Sequence, residues 1–486
     1  MDIIRAPRLN AQNLPWFNVK APLDLPDLSG KLVILDFWTF CCINCIHIIP
    51  TLKKLEERYP QNLVVIGVHS PKFSSEKLPE NLKQAIDRYE IKHPVVHDTD
   101  FSIWKSYTIR AWPTLVFIDP EGYILGQISG EPNPDTMLEI FDKLVEDMNK
   151  KGIFHGSAES LQLPPLPPEK STLRFPGKIS YSIENKEFAI ADSNHNQIVT
   201  ADRDGNITRR IGSGEAGSVD GTLAEVQFFR PQGLCYQNGI IWVADTENHL
   251  IRMVDLISGQ VFTAAGTGVQ GSLLKEKGKA ISIALSSPWD VALAGGDLYI
   301  ANAGTHQIGV YDVSTGTLAP FAGTGEEALK DGPRLAGAFA QPSGLSIGND
   351  KLFLADSETS SIRSIRIDEA GFIATYVGTG LFDFGDRDGK GREALIQHPL
   401  GIHYSREKIY IADSYNNKIR ILDLKTLEVT TVRASVELVC DQTSCTRLNE
   451  PAGVLELDNC LYVSDTNNHR ILKIDLKTET TSVFIQ

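Results

Sequence analysis

The sequence of 486 residues lacks the long apolar segments that carry a chain into or across a membrane. No run of 18 apolar residues occurs, so we expect no transmembrane helix and no membrane partner. The segment Met1–Lys20 is polar and interrupted by proline, without the apolar core of a signal peptide. We therefore expect a soluble protein of the cytoplasm.

Cysteine and positive charge are also scarce. Seven cysteines, an odd number, do not suggest the disulfide framework of a secreted domain. The chain carries 47 basic against 61 acidic residues, a formal net charge of −14. Nucleic-acid-binding proteins normally need a dense basic face, so we expect no nucleic-acid partner. The length and the 42% of apolar residues allow roughly two to four packed domains.

The strongest chemical signal is the motif Cys42-Ile43-Asn44-Cys45, which follows the apolar run Leu32–Phe37. A cysteine where a strand leads into a helix is reactive, because unpaired N–H groups at the helix N-terminus favour its thiolate. The second cysteine lies one turn further on, where it can attack a mixed disulfide formed by the first. Asp36 lies near the end of this apolar run, so we expect its carboxyl to be partly desolvated and its pKa to be raised.

The pattern of residues 1–152 predicts an α/β layer structure, because strand-like and helix-like runs alternate. The segments concerned are strands at Leu63–His69 and Thr114–Ile118, and helices at Pro79–Tyr89 and Asp135–Lys150. Residues 153–172 contain Leu-Pro-Pro-Leu-Pro-Pro, which predicts an extended, semi-rigid linker.

Residues 173–486 contain a sixfold repeat with a period of about 55 residues. Its core is Ala-Asp-Ser or a close variant, at 191–193, 244–246, 301–303, 355–357, 412–414 and 464–466. Pro-x-Gly, or a near match such as Pro288-Trp289-Asp290, precedes five of the six cores. Four short β-runs per unit at this spacing predict an all-β, six-bladed propeller.

The polar residues that recur in the repeat are expected to be structural. An aspartate before a turn accepts backbone N–H bonds, and a fixed blade position argues against ligand binding. The residues concerned are Asp192, Asp245, Asp356, Asp413 and Asp465, with His249, His306 and His469 at a second shared position. No separate cluster of histidines and carboxylates stands out, which disfavours a metal-dependent hydrolase or lyase.

Two family resemblances follow from these motifs. Residues 14–150 resemble thioredoxin-fold proteins, particularly bacterial thiol–disulfide oxidoreductases of the cytochrome-maturation type. The match rests on Asp36-Phe37-Trp38, Cys42-x-x-Cys45, Pro50, Ala111-Trp112-Pro113-Thr114 and Phe117–Gly122. The repeats resemble an NHL-repeat propeller, and the pairing of the two folds is similar to the NHL repeat-containing protein 2 family. Members of that family continue into a third, β-stranded domain.

The resemblance implies a role for each residue of the site. Cys42 would be the attacking thiolate and Cys45 the resolving thiol, with Asp36 as the buried proton acceptor. Pro113 aligns with a cis-proline that faces the disulfide, supported by the neighbouring Trp112. Trp38 would lie beneath the active loop. Cys41 takes the place of an aromatic residue and could form an alternative disulfide, accept a sulfenate, or serve as a small apolar side chain.

The favoured hypothesis is a thiol–disulfide oxidoreductase whose propeller binds a protein partner or disulfide substrate. Binding is expected on the propeller face or in a groove between the domains, with an external thiol reductant and no bound cofactor. The alternative is a non-catalytic adaptor that uses both domains as one interaction surface. A zinc site is a further possibility, with Cys41, Cys42, Cys45 and His47 as the local ligands.

Overall fold

The computed structural model describes residues 4–155, 171–369, 371–437, 439–440 and 445–486. The chain divides into two compact units, Met1–Glu169 and Lys170–Gln486. Most of the predicted linker at 153–172 lies outside the described residues. Within them, no helix has the length and apolar character needed to span a bilayer.

The first unit is built on one six-stranded sheet. Its strands are Trp16–Phe17 (β1), Leu32–Trp38 (β2), Leu63–His69 (β3), Val95–His97 (β4), Thr114–Ile118 (β5) and Ile124–Ser129 (β6). They lie in the order β1-β4-β3-β2-β5-β6. β2, β3 and β4 are parallel neighbours, whereas β5 runs antiparallel to β2. Every residue of β2 and β3 is buried, which explains why their sequences are apolar runs without alternation.

Helices cover both faces of this sheet. They are Ile43–Arg58 (α1), Pro79–Tyr89 (α2), Ser102–Ser106 (α3) and Pro134–Lys151 (α4). Leu52 of α1 and Phe141 of α4 share an apolar core with one face of β2, and Ile103 of α3 lies in the core on the other face. The arrangement is a thioredoxin-like fold, as the sequence predicted, and it places the start of α1 directly after the central strand.

The second unit is a six-bladed β-propeller, which confirms the predicted fold class. Each blade has four consecutive antiparallel strands. Listed from the innermost strand outward, the first three blades are Pro176–Ser182, Glu187–Asp192, Gln197–Ala201 and Ile207–Ile211; Gly233–Gln237, Ile240–Asp245, Leu250–Asp255 and Gln260–Ala265; Pro288–Ala294, Asp297–Asn302, Gln307–Asp312 and Thr317–Ala322. The last three are Pro342–Gly348, Lys351–Asp356, Ser361–Arg366 and Phe372–Val377; Gly401–Ser405, Lys408–Asp413, Lys418–Asp423 and Glu428–Thr431; Gly453–Leu457, Cys460–Asp465, Arg470–Asp475 and Thr480–Ile485.

Short strands outside the fourfold pattern were not foreseen from the sequence. The connections into blades two to five each add a two-residue strand to the outer edge of the blade that they enter. These strands are Gly221–Thr222, Gly278–Lys279, Gly332–Pro333 and Gly389–Lys390. Before blade six, Val439–Cys440 pairs with Cys445–Thr446 as a separate two-stranded sheet.

Hydrogen bonds between blades explain why the two repeat motifs occur together. The hydroxyl of Ser357, from the Ala-Asp-Ser core, donates to the carbonyl of Pro399 in the next blade at 2.6 Å. The contact recurs between the other blades that carry a hydroxyl, namely Ser193–Pro231, Thr246–Pro288, Ser414–Pro451 and Thr466–Pro176. The last of these joins blade six to blade one and closes the ring.

The repeated histidines make a second inter-blade bond. Nδ1 of His306 accepts the backbone N–H of Gln341 in the next blade at 3.0 Å. His249 and His469 make the same bond to Ser287 and Phe175. Asn196, Ser360 and Asn417 supply the equivalent acceptor in the other three blades. These side chains hold adjacent blades together, in line with the structural role expected from their shared position.

The inner strands approach each other closely around the propeller axis. A Cβ added at Gly233 would lie 2.4 Å from Cα of Asp290, and one at Gly453 would lie 3.0 Å from Cα of Lys178. Glycine is therefore required by close approach at four of the six Pro-x-Gly positions. Lys178 and Asp290 occupy the other two, in blades one and three. Nζ of Lys178 donates to the carbonyls of Leu400 and Ala452, which directly precede the inner strands of blades five and six.

Candidate active site

The start of α1 positions the cysteine pair. Cys42 is the N-cap residue of α1, and the N–H groups of Cys45 and Ile46 donate to its carbonyl at 3.0 and 3.2 Å. Cys42 therefore lies at the N-terminus of a 16-residue helix, and its side chain makes no capping hydrogen bond there. Cys42 is partly exposed, whereas Cys45 is 1% exposed. Both are free thiols, and the difference in exposure matches an attacking and a resolving thiol.

Cys45 and Asp36 form the buried part of the site. Burial raises the pKa of the Cys45 thiol well above its usual value, and the hydrogen bond with Cys42 and the charge of Asp36 act in the same direction. Burial also raises the pKa of Asp36 to about 7, although the charge of His93 opposes the shift. Oδ1 of Asp36 is buried and has no hydrogen-bond partner among the described residues. The structure thus brings together a protonated thiol and a carboxyl group that titrates near neutral pH.

The prediction also assigned Trp38, Trp112 and Pro113 to this site. The Trp112–Pro113 peptide bond is cis, as the resemblance implied. Trp38, at the end of β2, is 1% exposed, and its ring contacts the edge of His69 at 5.2 Å. Trp112 contacts Trp104 at 4.6 Å, so its ring belongs to an aromatic cluster of the first unit. The catalytic and supporting roles of these residues stay predictions.

Glu76 is a residue of this site that the sequence did not reveal. Its carboxylate accepts the hydroxyl of Thr39 at 2.6 Å and the backbone N–H of Cys41 at 3.1 Å. It also accepts the N–H groups of Lys72 and Phe73, at 2.7 and 2.9 Å. A buried carboxylate with four donors holds the loop before Cys42 in place. No local pattern marks Glu76, because it lies more than thirty residues along the chain from the loop that it binds.

Two histidines beneath the same loop were also missed. His69 ends β3 and pairs in register with His97 of β4, and the two rings are 5.2 Å apart. Phe40 stacks on His69 at 5.3 Å. Burial lowers the pKa of both histidines, so the pair is neutral at physiological pH. An alternation of apolar and polar residues could not have revealed these two histidines from the sequence, because both lie in strands that are buried on both faces.

The ligand set that could hold zinc is not assembled around the cysteines. His47 lies on α1, and its Nδ1 is 2.7 Å from Oε1 of Glu131. Cys41 is 2% exposed, with its sulfur 3.6 Å from the hydroxyl of Thr39. Among the residues that the structure describes, no group of three or more His, Cys, Asp or Glu side chains is arranged to hold a metal ion.

Comparison with known proteins agrees with both units. The thioredoxin-like family model matches residues 30–124, a range that includes Asp36, the cysteine pair and Pro113. The NHL repeat model matches residues 228–252 and 285–311. NHL repeat-containing protein 2 of Bos taurus is 39% identical over 515 aligned positions, which cover 97% of this chain and 70% of that protein. The chain belongs to the NHL repeat-containing protein 2 family.

Two further relatives extend the comparison beyond this family. Protein SUPPRESSOR OF QUENCHING 1, chloroplastic, of Arabidopsis thaliana is 41% identical over 493 positions, covering 95% of this chain and 46% of that protein. Thiol-disulfide oxidoreductase ResA of Bacillus cereus is 28% identical over 122 positions, covering 25% of this chain and 68% of that protein. The first unit therefore resembles thiol–disulfide oxidoreductases, and the family joins it to an NHL propeller.

Proposed function

We propose that the chain is a thiol–disulfide oxidoreductase in which Cys42 and Cys45 exchange with a disulfide of a protein substrate. The observation that carries this proposal is the buried carboxyl of Asp36, with a pKa of about 7, beside the buried thiol of Cys45. Exchange requires the resolving thiol to lose a proton at neutral pH, and a carboxyl that titrates there can accept it. The similarity of the first unit to ResA supports the same reaction class.

The reaction in the reductive direction has two steps. The thiolate of Cys42 attacks one sulfur of the substrate disulfide, so that a mixed disulfide forms and the other substrate sulfur leaves as a thiolate. Cys45 then gives its proton to Asp36 and attacks Cys42 Sγ, which releases the second substrate thiolate. Two electrons have moved to the substrate, whose thiolates take protons from solvent. An external dithiol reductant restores the Cys42 and Cys45 thiols.

The propeller, in this proposal, binds the protein substrate or a protein partner. NHL propellers generally mediate protein interactions, and loops gathered at a propeller face are the usual binding surface. The connections between blades present exposed apolar side chains, as Val219, Val269 and Leu335 do with 57%, 67% and 58% exposure. We also propose a cytoplasmic location, which the free thiols of Cys235 and Cys460 support.

The test is turnover of a protein disulfide by dithiothreitol in the presence of the full chain. Cys42→Ser should abolish the acceleration, since no other cysteine whose side chain the structure describes combines exposure with a helix N-terminus. Cys235→Ser is the matched control, because burial raises the pKa of Cys235 to about 12 and keeps that thiol unreactive. Cys41→Ser should retain activity if Cys42 is the attacking group.

Two results would overturn the proposal. Equal turnover by the wild type and Cys42→Ser would favour the non-catalytic adaptor, with the propeller as its binding surface. Loss of turnover in Cys41→Ser but not in Cys42→Ser would transfer the attacking role to Cys41.

A further inference from the structure

His93 lies between the buried carboxyl of Asp36 and the protein surface. Its side chain is 4% exposed, and Nδ1 is 3.2 Å from Oε2 of Glu56, a half-buried residue of α1. The second ring nitrogen, Nε2, lies beside Gly67: a Cβ added there would be 3.5 Å from it. Gly67 on β3 is the register partner of Asp36 on β2. The imidazole therefore extends from a carboxylate at the surface to the strand position next to Asp36.

Gly67 leaves room for polar groups on one face of the sheet. Asp36 and Trp38 are two residues apart on β2, so their side chains share a face, and the register places the missing side chain of Gly67 on that face. A Cβ at Gly67 would come within 3.0 Å of Nε1 of Trp38. Asp36 Oδ1 and Trp38 Nε1 are buried without a partner in the described part of the chain. An indole N–H and an imidazole nitrogen, with Cγ2 of Val95 at 3.2 Å, thus border a position that carries no side chain and is the register partner of Asp36.

The other end of the imidazole reaches solvent. A surface pocket of about 200 Å³ is lined by His93, Glu56 and neighbouring residues of α1. Glu56 lines this pocket, and its side chain is 29% exposed. A proton that leaves Nδ1 of His93 can therefore pass to Glu56 or directly to water in the pocket.

We propose that His93, assisted by Glu56, carries the proton of Asp36 to and from solvent. The inference rests on the function proposed above and adds a positioning and relay residue to it. When Asp36 has taken the proton of Cys45, the carboxyl gives it to Nε2 of His93, and Nδ1 releases its own proton to Glu56 or water. When the external dithiol regenerates the Cys45 thiol, the protons move the other way: Nδ1 takes a proton from Glu56 or water, Nε2 gives its proton to Asp36, and Asp36 returns it to Cys45, so that the ring regains its starting tautomer. Imidazole suits this role because it can accept a proton on one nitrogen while it releases one from the other.

Other charged groups face the same path and have to be considered in its pH dependence. Apart from burial, which raises the pKa of Asp36, the charge of His93 lowers it, and Asp36 in turn raises the pKa of Cys45 on α1. The pocket beside His93 also contains the side chains of Lys53, Glu56, Glu57, Glu90 and Lys92. Removal of His93 takes away the group that opposes the effect of burial, so the pKa of Asp36 should rise further.

The first test compares His93→Gln with the wild type in the full chain. The variant keeps a polar side chain of similar size but cannot carry a proton. We expect the pH at which turnover reaches half its maximum to rise by about one unit, and turnover at pH 6.5 to fall about tenfold. Glu56→Gln should give a smaller decrease, whereas Glu57→Gln, the neighbouring carboxylate of the same pocket, is the control that should match the wild type.

The second test reads the coupling without any substrate. The titration of Asp36 is followed through the indole N–H resonance of Trp38, whose side chain lies on the same face of β2, and its midpoint should rise in His93→Gln. Free imidazole, small enough for the pocket, should restore turnover to His93→Ala. An unshifted midpoint with turnover unchanged by His93→Gln would overturn the relay and leave the proposed function intact. A shifted midpoint in a protein that accelerates no exchange would overturn the proposed function but support the coupling.

Discussion

Buried carboxylates are used differently in the two units. In the propeller, Asp245, Asp356, Asp413 and Asp465 are fully buried, and each contacts an arginine that is itself no more than 2% exposed, at 2.6 to 3.0 Å. Each also accepts a backbone N–H from the strand connection of its own blade. In the thioredoxin-like unit, Asp36 is as deeply buried, but no arginine or lysine contacts it and one of its oxygens has no partner among the described residues.

The difference separates carboxylates that stabilise the fold from the one to which we assign proton transfer. Burial raises the pKa of Asp356 to about 6, with Arg363 opposing the shift, and this residue stays ionised at pH 7.5 within its ion pair. Burial raises the pKa of Asp36 to about 7, so this group changes protonation near neutral pH. The carboxylates paired with arginine repeat with the blades, whereas Asp36, with no arginine or lysine contact among the described residues, lies beside the buried thiol of Cys45.

Breaking one propeller pair should give the largest effect. Arg363→Met removes the cation and leaves Asp356 buried without compensation, so we expect a loss of about 3–5 kcal/mol in the free energy of unfolding. Guanidinium denaturation followed by circular dichroism measures it. Arg366→Met is the matched control, because Arg366 is 59% exposed in its pair with Asp368 and should contribute about 1 kcal/mol or less. Equal effects of the two substitutions would show that burial of the pair does not matter.

Removing the carboxylate of Asp36 should increase the free energy of unfolding rather than decrease it. The folded protein holds the proton of Asp36 up to about pH 7, whereas the unfolded chain releases it near pH 4, so this group lowers stability progressively as the pH rises between these values. Asp36→Asn should therefore stabilise the thioredoxin-like unit at pH 8 by roughly 4 kcal/mol, with little effect at pH 4. Urea denaturation at both pH values measures the difference. A pH-independent change in stability would contradict the account.

Removing the charges of Lys178 and Asp290, which lie near the propeller axis, should change the free energy of unfolding least. Lys178→Met removes a charged donor from the carbonyls of Leu400 and Ala452, so we expect a loss of about 2 kcal/mol. Burial lowers the pKa of Lys178 to about 8, and Asp290 opposes this shift. The double variant Lys178→Met with Asp290→Asn should therefore lose less than the sum of the single variants in guanidinium denaturation. Strict additivity would show that the two charges do not interact.

The sequence predicted the fold largely because its signals are local. The four β-runs predicted for each repeat follow from turn residues and apolar runs, and each blade has four such strands. The cysteine pair was likewise visible, because its two thiols stand on one turn of helix. The repeated Asp-Arg contacts were not recognised, although Arg363 follows Asp356 by seven residues in a pattern that three blades share.

The rest of the site depends on contacts between distant parts of the chain. Glu76 and His93 reach the cysteine loop and Asp36 only because β3 lies beside β2 and β4 lies beside β3, and neither residue carries a motif of its own. Gly67 matters because a side chain there would crowd Trp38. A single sequence does not distinguish such a glycine from one that is merely tolerated. Lys178 and Asp290 stand where the repeat otherwise has glycine, and this departure was the available signal for the axial contacts.

The most direct test of the account is a redox titration of the full chain in glutathione and dithiothreitol buffers. The states of Cys41, Cys42 and Cys45 are read by differential alkylation and mass spectrometry. We expect a reversible two-electron couple between Cys42 and Cys45, with a midpoint between roughly −180 and −270 mV and with Cys41 reduced throughout. If Cys42 and Cys45 never form a disulfide, or if Cys41 takes the place of either, the role assigned to the unpaired carboxylate of Asp36 is wrong.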